Sequence, residues 1–309
     1  MAIYFHWDQA TNDLWDAAFA AAGAGSDIRR EGALGHPDDI EFAVVWAPPG
    51  GRLKEFKNLK YIFSIGAGVT HITLDPDAPM DVPIVRLQDD MLVLDIACHI
   101  IHWTLHFHRH YNRYKLYEAE KKWLRHRYPE NRERRISVLG LGQTGLTTCE
   151  RLRDLEFDVT GWSRTPKKIE GVTCLSGDES LAQVLARADI LVNLLPLTPA
   201  TTDLINADAL AQMPHGAFVI NCGRGGTVVD ADLLAALDTG QIEAAALDVF
   251  REEPLAEDDP YWTHPKVSVT PHAAAPSNER SAARFIAGHI RRALDGGEPW
   301  PIVDHARGY

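Results

Sequence analysis

The feature that most limits the possible fold is a short apolar run followed at once by three spaced glycines. Residues 136–139 read Ile-Ser-Val-Leu, and residues 140–145 read Gly-Leu-Gly-Gln-Thr-Gly. An ordinary strand-to-helix turn also uses such glycines. Here, however, helical sequence follows, and a second strand-like run at 157–162 ends about where the ribose of a dinucleotide would lie. We therefore predict a dinucleotide site at the start of that helix, formed by Gly140, Leu141, Gly142, Gln143, Thr144 and Gly145.

Length and charge narrow the class of protein. The chain has 309 residues, enough for about two domains at the usual ~100–200 residues each. The formal net charge is -12, which disfavours nucleic acid and anionic membranes as partners. No apolar run approaches the ~18 residues of a membrane span. The four cysteines form no Cys-x-x-Cys pair, and the first residues do not resemble a signal segment, so we expect a cytoplasmic protein.

Short apolar runs alternate with helical periods along the chain, which predicts an α/β fold of doubly wound parallel sheets. The predicted strands, besides the two above, are 3–6, 42–47, 61–65, 84–87, 190–195, 218–221, 244–249 and 267–270. We expect helices at 8–22 and 281–294, and one long helix from 91 to 119 that connects a first domain to the dinucleotide domain.

Three chemically active side chains follow late strands of the predicted sheet. Arg224, Glu253 and His272 come three, four and two residues after strands. In doubly wound sheets, ligands bind beyond the carboxyl ends of the strands, so we expect all three to face one cleft. These three groups suit reduction of a 2-oxo acid. The guanidinium can bind the carboxylate and the keto oxygen of the substrate, the histidine can supply a proton, and the glutamate can orient the histidine. Each residue alone also has an ordinary structural explanation, and Glu252 is a close rival to Glu253.

The residues at the end of the predicted strand 157–162 indicate which dinucleotide binds. NAD-specific sites commonly place an acid there, where it accepts hydrogen bonds from the ribose hydroxyls and repels a 2′-phosphate. Residues 161–168 read Gly-Trp-Ser-Arg-Thr-Pro-Lys-Lys, without an acid. A guanidinium and a hydroxyl suit a phosphate, so NADPH is favoured over NADH, although an exposed basic turn has the same composition. The predicted contacts are Trp162, Ser163, Arg164, Thr165 and Lys167.

Three ordered phrases resemble the signatures of the D-2-hydroxyacid dehydrogenases. They are Asn-Cys-Gly-Arg-Gly at 221–225, Asp-Val-Phe-Arg-Glu-Glu-Pro-Leu at 248–255 and Thr-Pro-His-Ala-Ala at 270–274. Within that family, residues 44–49 and 193–199 resemble the glyoxylate/hydroxypyruvate reductase A subgroup. The Glu-Pro pairing of the family favours Glu253 over Glu252 as the histidine's partner.

The resemblance implies two similar α/β domains with the cleft between them. One is a Rossmann dinucleotide-binding domain at 99–280, and the other a flavodoxin-like substrate domain at 1–98 and 281–309. It makes Arg224 the substrate clamp, His272 the acid/base and Glu253 its partner. Trp46 and the backbone N–H groups of Ala67 and Gly68 would also bind substrate. Further cofactor contacts would be Leu195, Pro196, Thr201, Cys222, Gly223, Arg224, Asp248 and His272, with Cys222 a core filler rather than a nucleophile.

The resulting expectation is NADPH-dependent reduction of small 2-oxo acids, with glyoxylate and hydroxypyruvate foremost, to D-2-hydroxy acids. Formate oxidation is disfavoured because that subgroup carries a glutamine where Glu253 stands. A non-catalytic alternative is a dinucleotide-sensing, corepressor-like binding protein of the same fold. Residues 88–95 depart from the family pattern and leave the shape of the substrate pocket open.

The segment 95–117 is rich in histidine and aromatic residues. His102 and His106 have the spacing of a metal pair, but no carboxylate or cysteine pattern accompanies them, so we expect no metal and a packed or subunit-facing helix instead. Aromatic groups with polar tips suit an interface. We therefore expect a symmetric homodimer whose contact includes Trp103 and Phe107 or their neighbours.

Overall fold

The computed structural model describes residues 1–8 and 10–304. The chain forms two compact units. Unit 1 comprises Met1–Leu92 and the segment from Ser277 onward, and unit 2 comprises Val93–Pro276. The units therefore change at 92/93 and 276/277, whereas the boundaries expected from sequence lie at 98/99 and 280/281.

The strands, in chain order, are β1 (Ala2–His6), β2 (Ile28–Arg29), β3 (Ile40–Val45), β4 (Tyr61–Ser64), β5 (Ile84–Val85), β6 (Arg135–Leu139), β7 (Asp158–Ser163), β8 (Thr173–Ser176), β9 (Ile190–Asn193), β10 (Ala217–Asn221), β11 (Ile242–Leu247) and β12 (Val267–Val269). The α-helices are α1 (Asn12–Ala22), α2 (Thr70–Thr73), α3 (Asp90–His108), α4 (Tyr111–Ala119), α5 (Gln143–Asp154), α6 (Leu181–Ala186), α7 (Ala207–Gln212), α8 (Asp230–Thr239) and α9 (Glu279–Leu294).

Unit 1 is built on a parallel sheet with the strand order β2-β1-β3-β4-β5. The central strand β3 reads Ile-Glu-Phe-Ala-Val-Val and is almost wholly buried, as expected for a strand covered on both faces. Helices α1 and α9 pack together. The side chain of Asn278 caps α9 by accepting the N–H groups of Arg280 and Ser281, which fixes where that helix begins.

Unit 2 contains a seven-stranded parallel sheet with the order β12-β11-β10-β9-β6-β7-β8. Strand β6 has β7 on one side and β9 on the other, so the strand order reverses at β6. Such a reversal opens a crevice at the carboxyl ends of the strands, where doubly wound folds bind their ligands. The predicted fold class, two doubly wound α/β domains with a Rossmann sheet, is confirmed.

Several element predictions need correction. The single helix expected at 91–119 is wrong: α3 ends at His108 and α4 begins at Tyr111. His110 lies between them with φ of 57°, a left-handed conformation that cannot continue a right-handed helix. The short strands β2 and β8 were not expected from sequence, because an edge strand has too few residues to show a pattern. The first helix begins at Asn12 rather than at residue 8.

In the described part of the chain, none of the helices is both long and apolar enough to cross a membrane.

Candidate active site

The glycine loop after β6 packs tightly and leads directly into helix α5. Gly140 has φ of 99°, and a Cβ atom there would lie 2.9 Å from the Leu194 carbonyl oxygen. A Cβ atom on Gly145 would lie 1.9 Å from the Gly140 carbonyl oxygen, so neither position admits a side chain. Helix α5 begins at Gln143, with Gly142 as its N-cap. The backbone therefore comes close to the start of a helix, whose first N–H groups are not used by the helix itself.

The end of β7 combines a buried framework with an exposed basic turn. Trp162 is buried, and its Nε1 donates to the Gly177 carbonyl at 3.0 Å, so its side chain belongs to the core. Its carbonyl oxygen accepts the N–H of Gly140 at 2.8 Å. Ser163 Oγ donates to the carbonyl of Thr165 at 2.8 Å. The side chains at 164–168 are exposed, and none is acidic.

His272 and Glu253 make the contact that the sequence predicts. His272 Nδ1 lies 2.7 Å from Glu253 Oε2, and Glu253 Oε1 accepts the N–H of Phe250 at 2.9 Å. Burial opposes ionisation of Glu253, but the hydrogen bonds from His272 and Phe250 outweigh it and hold the pKa of this carboxyl below its usual value. The carboxylate is thus ionised and held at both oxygens.

Arg224 follows β10 on a turn that contacts the Glu253 loop. A Cβ atom on Gly225 would lie 1.9 Å from the Phe250 carbonyl carbon, so only glycine allows the two backbones to approach this closely. Arg224 Nη1 donates to the Gly223 carbonyl at 2.6 Å. Burial lowers the pKa of the Arg224 guanidinium, and the nearby Glu253 carboxylate acts in the opposite direction. A cation and an anion therefore lie on adjoining loops.

Asp248 holds the loop that carries His272. Its side chain is 2% exposed, and Oδ1 accepts Thr270 Oγ1 at 2.6 Å and the Ala273 N–H at 2.8 Å. Oδ2 accepts the Ala274 N–H at 3.0 Å, and the Asp248 carbonyl accepts the His272 N–H at 2.8 Å. His272 has φ of 50°, a left-handed conformation that this set of hydrogen bonds maintains. Asp248, expected from the resemblance only as a cofactor contact, thus has a clear role within the protein.

The remaining predicted cofactor residues of unit 2 lie on the loops after β9 and β10. Leu195 is buried, and Asn193 Oδ1 accepts its N–H at 3.2 Å. Thr201 Oγ1 donates to the Pro196 carbonyl at 2.6 Å and shapes that loop. Burial raises the pKa of the Cys222 thiol, which keeps it protonated and agrees with a packing role.

The predicted substrate residues of unit 1 form a cluster of their own. The Trp46 indole lies against the His71 ring, with 4.3 Å between centroids, and a Cβ atom on Gly66 would lie 2.3 Å from the indole. Ser64 Oγ is 2.9 Å from the carbonyl oxygens of Gly66 and Gly68. Because C=O and N–H point in opposite directions across a trans peptide, the Ala67 N–H points away from Ser64.

Sequence reasoning missed the polar side chains that close buried strands. Ser64 ends β4, Asn193 ends β9 and Asn221 ends β10, and all three are buried. Each hydrogen-bonds a loop that carries predicted site residues. The available signal was a single polar residue at the end of an otherwise apolar run, because a buried polar group needs a partner and nearby loops provide one.

No group of three or more metal-binding side chains occurs among the residues that the structure describes. The site is instead defined by a glycine-rich loop at a Rossmann switch point and by an arginine, a glutamate and a histidine beyond neighbouring strands. This combination is typical of dinucleotide-dependent oxidoreductases that use an acid/base histidine.

Comparison with known proteins identifies the family. The family model described as "D-isomer specific 2-hydroxyacid dehydrogenase, NAD binding domain" matches residues 101–274. The chain belongs to the D-isomer specific 2-hydroxyacid dehydrogenase family. The glyoxylate/hydroxypyruvate reductase A of Yersinia enterocolitica is 37% identical over 286 residues, which cover 91% of each chain. That of Serratia proteamaculans is 37% identical over 275 residues, 87% of this chain and 88% of the relative.

Solved structures agree with this assignment. A D-isomer specific 2-hydroxyacid dehydrogenase from Xanthobacter autotrophicus Py2, in complex with NADPH and MES, matches with a TM-score of 0.94 and 40% identity, over 100% of this chain and 99% of that one. An NADPH-dependent glyoxylate/hydroxypyruvate reductase from Sinorhizobium meliloti, in complex with NADP and sulfate, matches with a TM-score of 0.92 and 33% identity, over 100% of both chains. The resemblance drawn from the sequence motifs is confirmed.

Proposed function

We propose that the protein reduces small 2-oxo acids, foremost glyoxylate and hydroxypyruvate, to D-2-hydroxy acids with NADPH. The observation that carries this proposal is the 2.7 Å contact between His272 and Glu253 on loops that adjoin the Arg224 turn. The reductase names of relatives that span nearly the whole chain support it. The intact acid/base pair favours an enzyme over the corepressor-like alternative, since a binding protein has no need of a proton donor.

The residues present fit a dinucleotide. A Cβ atom on Gly142, the N-cap of α5, would meet only open space, which can take a pyrophosphate, and the start of α5 offers it N–H donors. Arg164 and Lys167 suit a 2′-phosphate, and no acid at 161–168 would repel one. Structures of relatives with NADPH or NADP support this choice. When bound, the reduced nicotinamide supplies the hydride equivalent for the carbonyl carbon.

The chain's own residues supply the proton and the charge stabilisation. Glu253 accepts a hydrogen bond from His272 Nδ1, which fixes the orientation of the ring. His272 then donates the proton on Nε2 to the carbonyl oxygen as that oxygen gains negative charge. Arg224 binds the substrate carboxylate and the same oxygen, and its partial burial strengthens this interaction.

In unit 1, we propose that the N–H groups of Ala67 and Gly68 bind the substrate carboxylate and that Trp46 limits the size of the substrate's side chain. Within residues 1–8 and 10–304, the structure records no hydrogen-bond acceptor for these two N–H groups. The indole fills the space above Gly66, which favours substrates with small side chains.

The experiment is to measure NADPH and NADH oxidation by the purified protein with a panel of 2-oxo acids of increasing side-chain length. We expect the highest kcat/KM with NADPH and with glyoxylate or hydroxypyruvate, and a D-configured product where the product is chiral. Preference for bulky 2-oxo acids would overturn the substrate assignment. Absence of turnover with every 2-oxo acid would overturn the reaction.

We also propose a homodimer. Phe107 is 1% exposed and stacks on Phe218 at 4.8 Å between centroids, so it belongs to the core of unit 2 and offers little surface for a subunit contact. A contact at Trp103 or at the neighbours of these two residues stays a prediction. Large side chains are also exposed along and just after α4, namely Tyr111, Leu116, Trp123, Leu124 and Tyr128. Trp123, 94% exposed, is the most prominent, and such a set suits a subunit interface.

Four free thiols support a reducing compartment such as the cytoplasm.

A further inference from the structure

The turn that carries Arg224 is held from inside by a buried polar network. Asn193 ends β9, Asn221 ends β10, and Thr227 lies in the single 3-10 turn Gly225–Thr227 that follows Arg224. The exposed fractions of Asn193, Asn221 and Thr227 are 0%, 1% and 0%. Most polar groups at this depth are hydrogen-bonded, so their partners show what they hold.

The contacts form a chain that ends at the backbone of Arg224. Asn193 Nδ2 donates to Asn221 Oδ1 at 2.9 Å and to Thr227 Oγ1 at 2.7 Å. Thr227 Oγ1 in turn donates to the Arg224 carbonyl oxygen at 2.6 Å. Because the amide nitrogen of Asn193 can only donate, the hydroxyl must accept from it and direct its own hydrogen to Arg224. The network therefore has one orientation.

The same asparagines hold the adjoining loops. Asn193 Oδ1 accepts the Leu195 N–H at 3.2 Å, and Asn221 Oδ1 accepts the Gly223 N–H at 3.1 Å. The Arg224 carbonyl also accepts Asn221 Nδ2 at 3.4 Å and the Thr227 N–H at 3.2 Å. The Thr227 hydroxyl makes the shortest of these contacts, at 2.6 Å, and its other side-chain contact is to Asn193. A change at Thr227 therefore acts on the Arg224 turn while leaving the hydrogen bonds of the asparagines to Leu195 and Gly223 in place.

We propose that Thr227 is a positioning residue for the Arg224 guanidinium, an inference that rests on the proposed function. Thr227 is not proposed to touch the substrate. It fixes the carbonyl of Arg224, and with it the point from which the long arginine side chain starts. Small displacements of a charged group at a reacting centre cost far more in rate than in stability, so loss of this hydrogen bond should be seen mainly in catalysis.

Matched variants separate positioning from general stability. Thr227→Val keeps the shape of the side chain but removes the hydroxyl, and Thr227→Ser keeps the hydroxyl. Ser137→Ala is the control, because Ser137 is also 0% exposed on the same sheet, and its hydroxyl donates to the Val184 carbonyl at 2.9 Å rather than to the network that holds Arg224. For Thr227→Val we expect kcat/KM for the 2-oxo acid to fall about tenfold, with a raised KM and a lowered kcat. Thr227→Ser and Ser137→Ala should stay within about twofold of the parent.

Two outcomes would overturn the proposal. The first is a Thr227→Val variant that loses thermal stability as Ser137→Ala does but keeps the parent kcat/KM. The second is an unmoved Arg224 carbonyl and guanidinium in crystal structures of Thr227→Val, or of Thr227→Ala should the valine variant not fold. The crystallographic test requires no activity, so it remains decisive even if the parent protein reduces no 2-oxo acid and the proposed function fails.

Discussion

Glu253 holds His272 through one carboxylate oxygen, at 2.7 Å, while its other oxygen is held by the N–H of Phe250 at 2.9 Å. The second contact matters as much as the first, since it prevents the carboxylate from rotating away. Phe250 is itself fixed, because its backbone packs against Gly225 on the turn that carries Arg224. The positions of the histidine, the glutamate and the arginine are therefore mutually dependent.

Glu253→Gln should lower kcat/KM for the 2-oxo acid. The change removes the charge of the carboxylate that contacts His272 Nδ1 and accepts the Phe250 N–H, so the imidazole loses the partner that orients it. Glu252→Gln, the adjacent change of the same kind, serves as the control and should keep the parent kcat/KM. Equal losses in both variants would show a general effect of charge rather than a specific contact.

Arg224→Ala should remove most of the activity. The substrate carboxylate and the developing negative charge lose their cationic partner, which corresponds to about 3–4 kcal/mol of transition-state stabilisation, or ~10²–10³ in kcat/KM. Arg153→Gln removes an arginine that pairs with Asp154 at the surface of the same unit and should have little effect. Near-parent turnover by Arg224→Ala would exclude this arginine from the chemistry.

Cofactor preference should respond to the end of β7. A Ser163→Asp/Arg164→Gln variant introduces a negative charge where a 2′-phosphate is expected and removes a positive one. We expect KM for NADPH to rise far more than KM for NADH. Arg151→Gln, an exposed charge loss on α5, is the matched control. The assignment fails if the parent protein already prefers NADH.

Trp123→Glu should weaken self-association. Light scattering of the parent is expected to give about twice the chain mass of 34.3 kDa at micromolar concentration. A charge in place of the 94% exposed indole should shift the variant toward the monomer. Trp262→Glu places the same change at another exposed tryptophan, outside the α4 region, and should leave the oligomeric state of the parent unchanged. A monomeric parent would contradict the proposed dimer, and a dimeric Trp123→Glu variant would move the interface elsewhere.

Stability should fall in mild acid because of His108. This side chain is 0% exposed between the rings of Tyr128 and Phe157, and burial, followed by the Arg134 charge, lowers the pKa of His108 to about 4. The unfolded chain takes up the proton near pH 6.5, so stability is full above that pH and declines as the pH falls toward about 4. The cost near pH 5 is on the order of 1–2 kcal/mol.

The His108 contribution can be isolated by calorimetry. His108→Gln cannot take up this proton, so the fall in Tm between about pH 7.5 and 5 should be smaller in the variant than in the parent. His36→Gln changes a histidine at the surface and should leave the fall unchanged. A His108→Gln variant with the parent's full pH dependence would assign the effect to other histidines.

Much of the site could be predicted because its signals are local. Gly140 and Gly145 are specified by the turn they form, and Arg224 and His272 by their places after apolar runs. Element ends were less predictable. The break between α3 and α4 depends on the left-handed conformation of His110, which leaves no periodic signal in the sequence. Edge strand β8 exists because β7 pairs with it.

The sequence alone determined the order of the elements, the glycine loop, the lack of an acid after β7 and the family, because each depends on residues close together in the chain. The tertiary structure decided what depends on distant neighbours. It pairs Glu253 with His272, since the Phe250 N–H and the Gly225 turn leave the carboxylate one orientation. It buries Phe107 against Phe218, because the face of a helix that meets the sheet is set by packing and not by composition. It also joins Asn193 to Thr227, 34 residues apart in the chain, since only the adjacency of β9 and β10 brings a buried amide to the turn that it must satisfy.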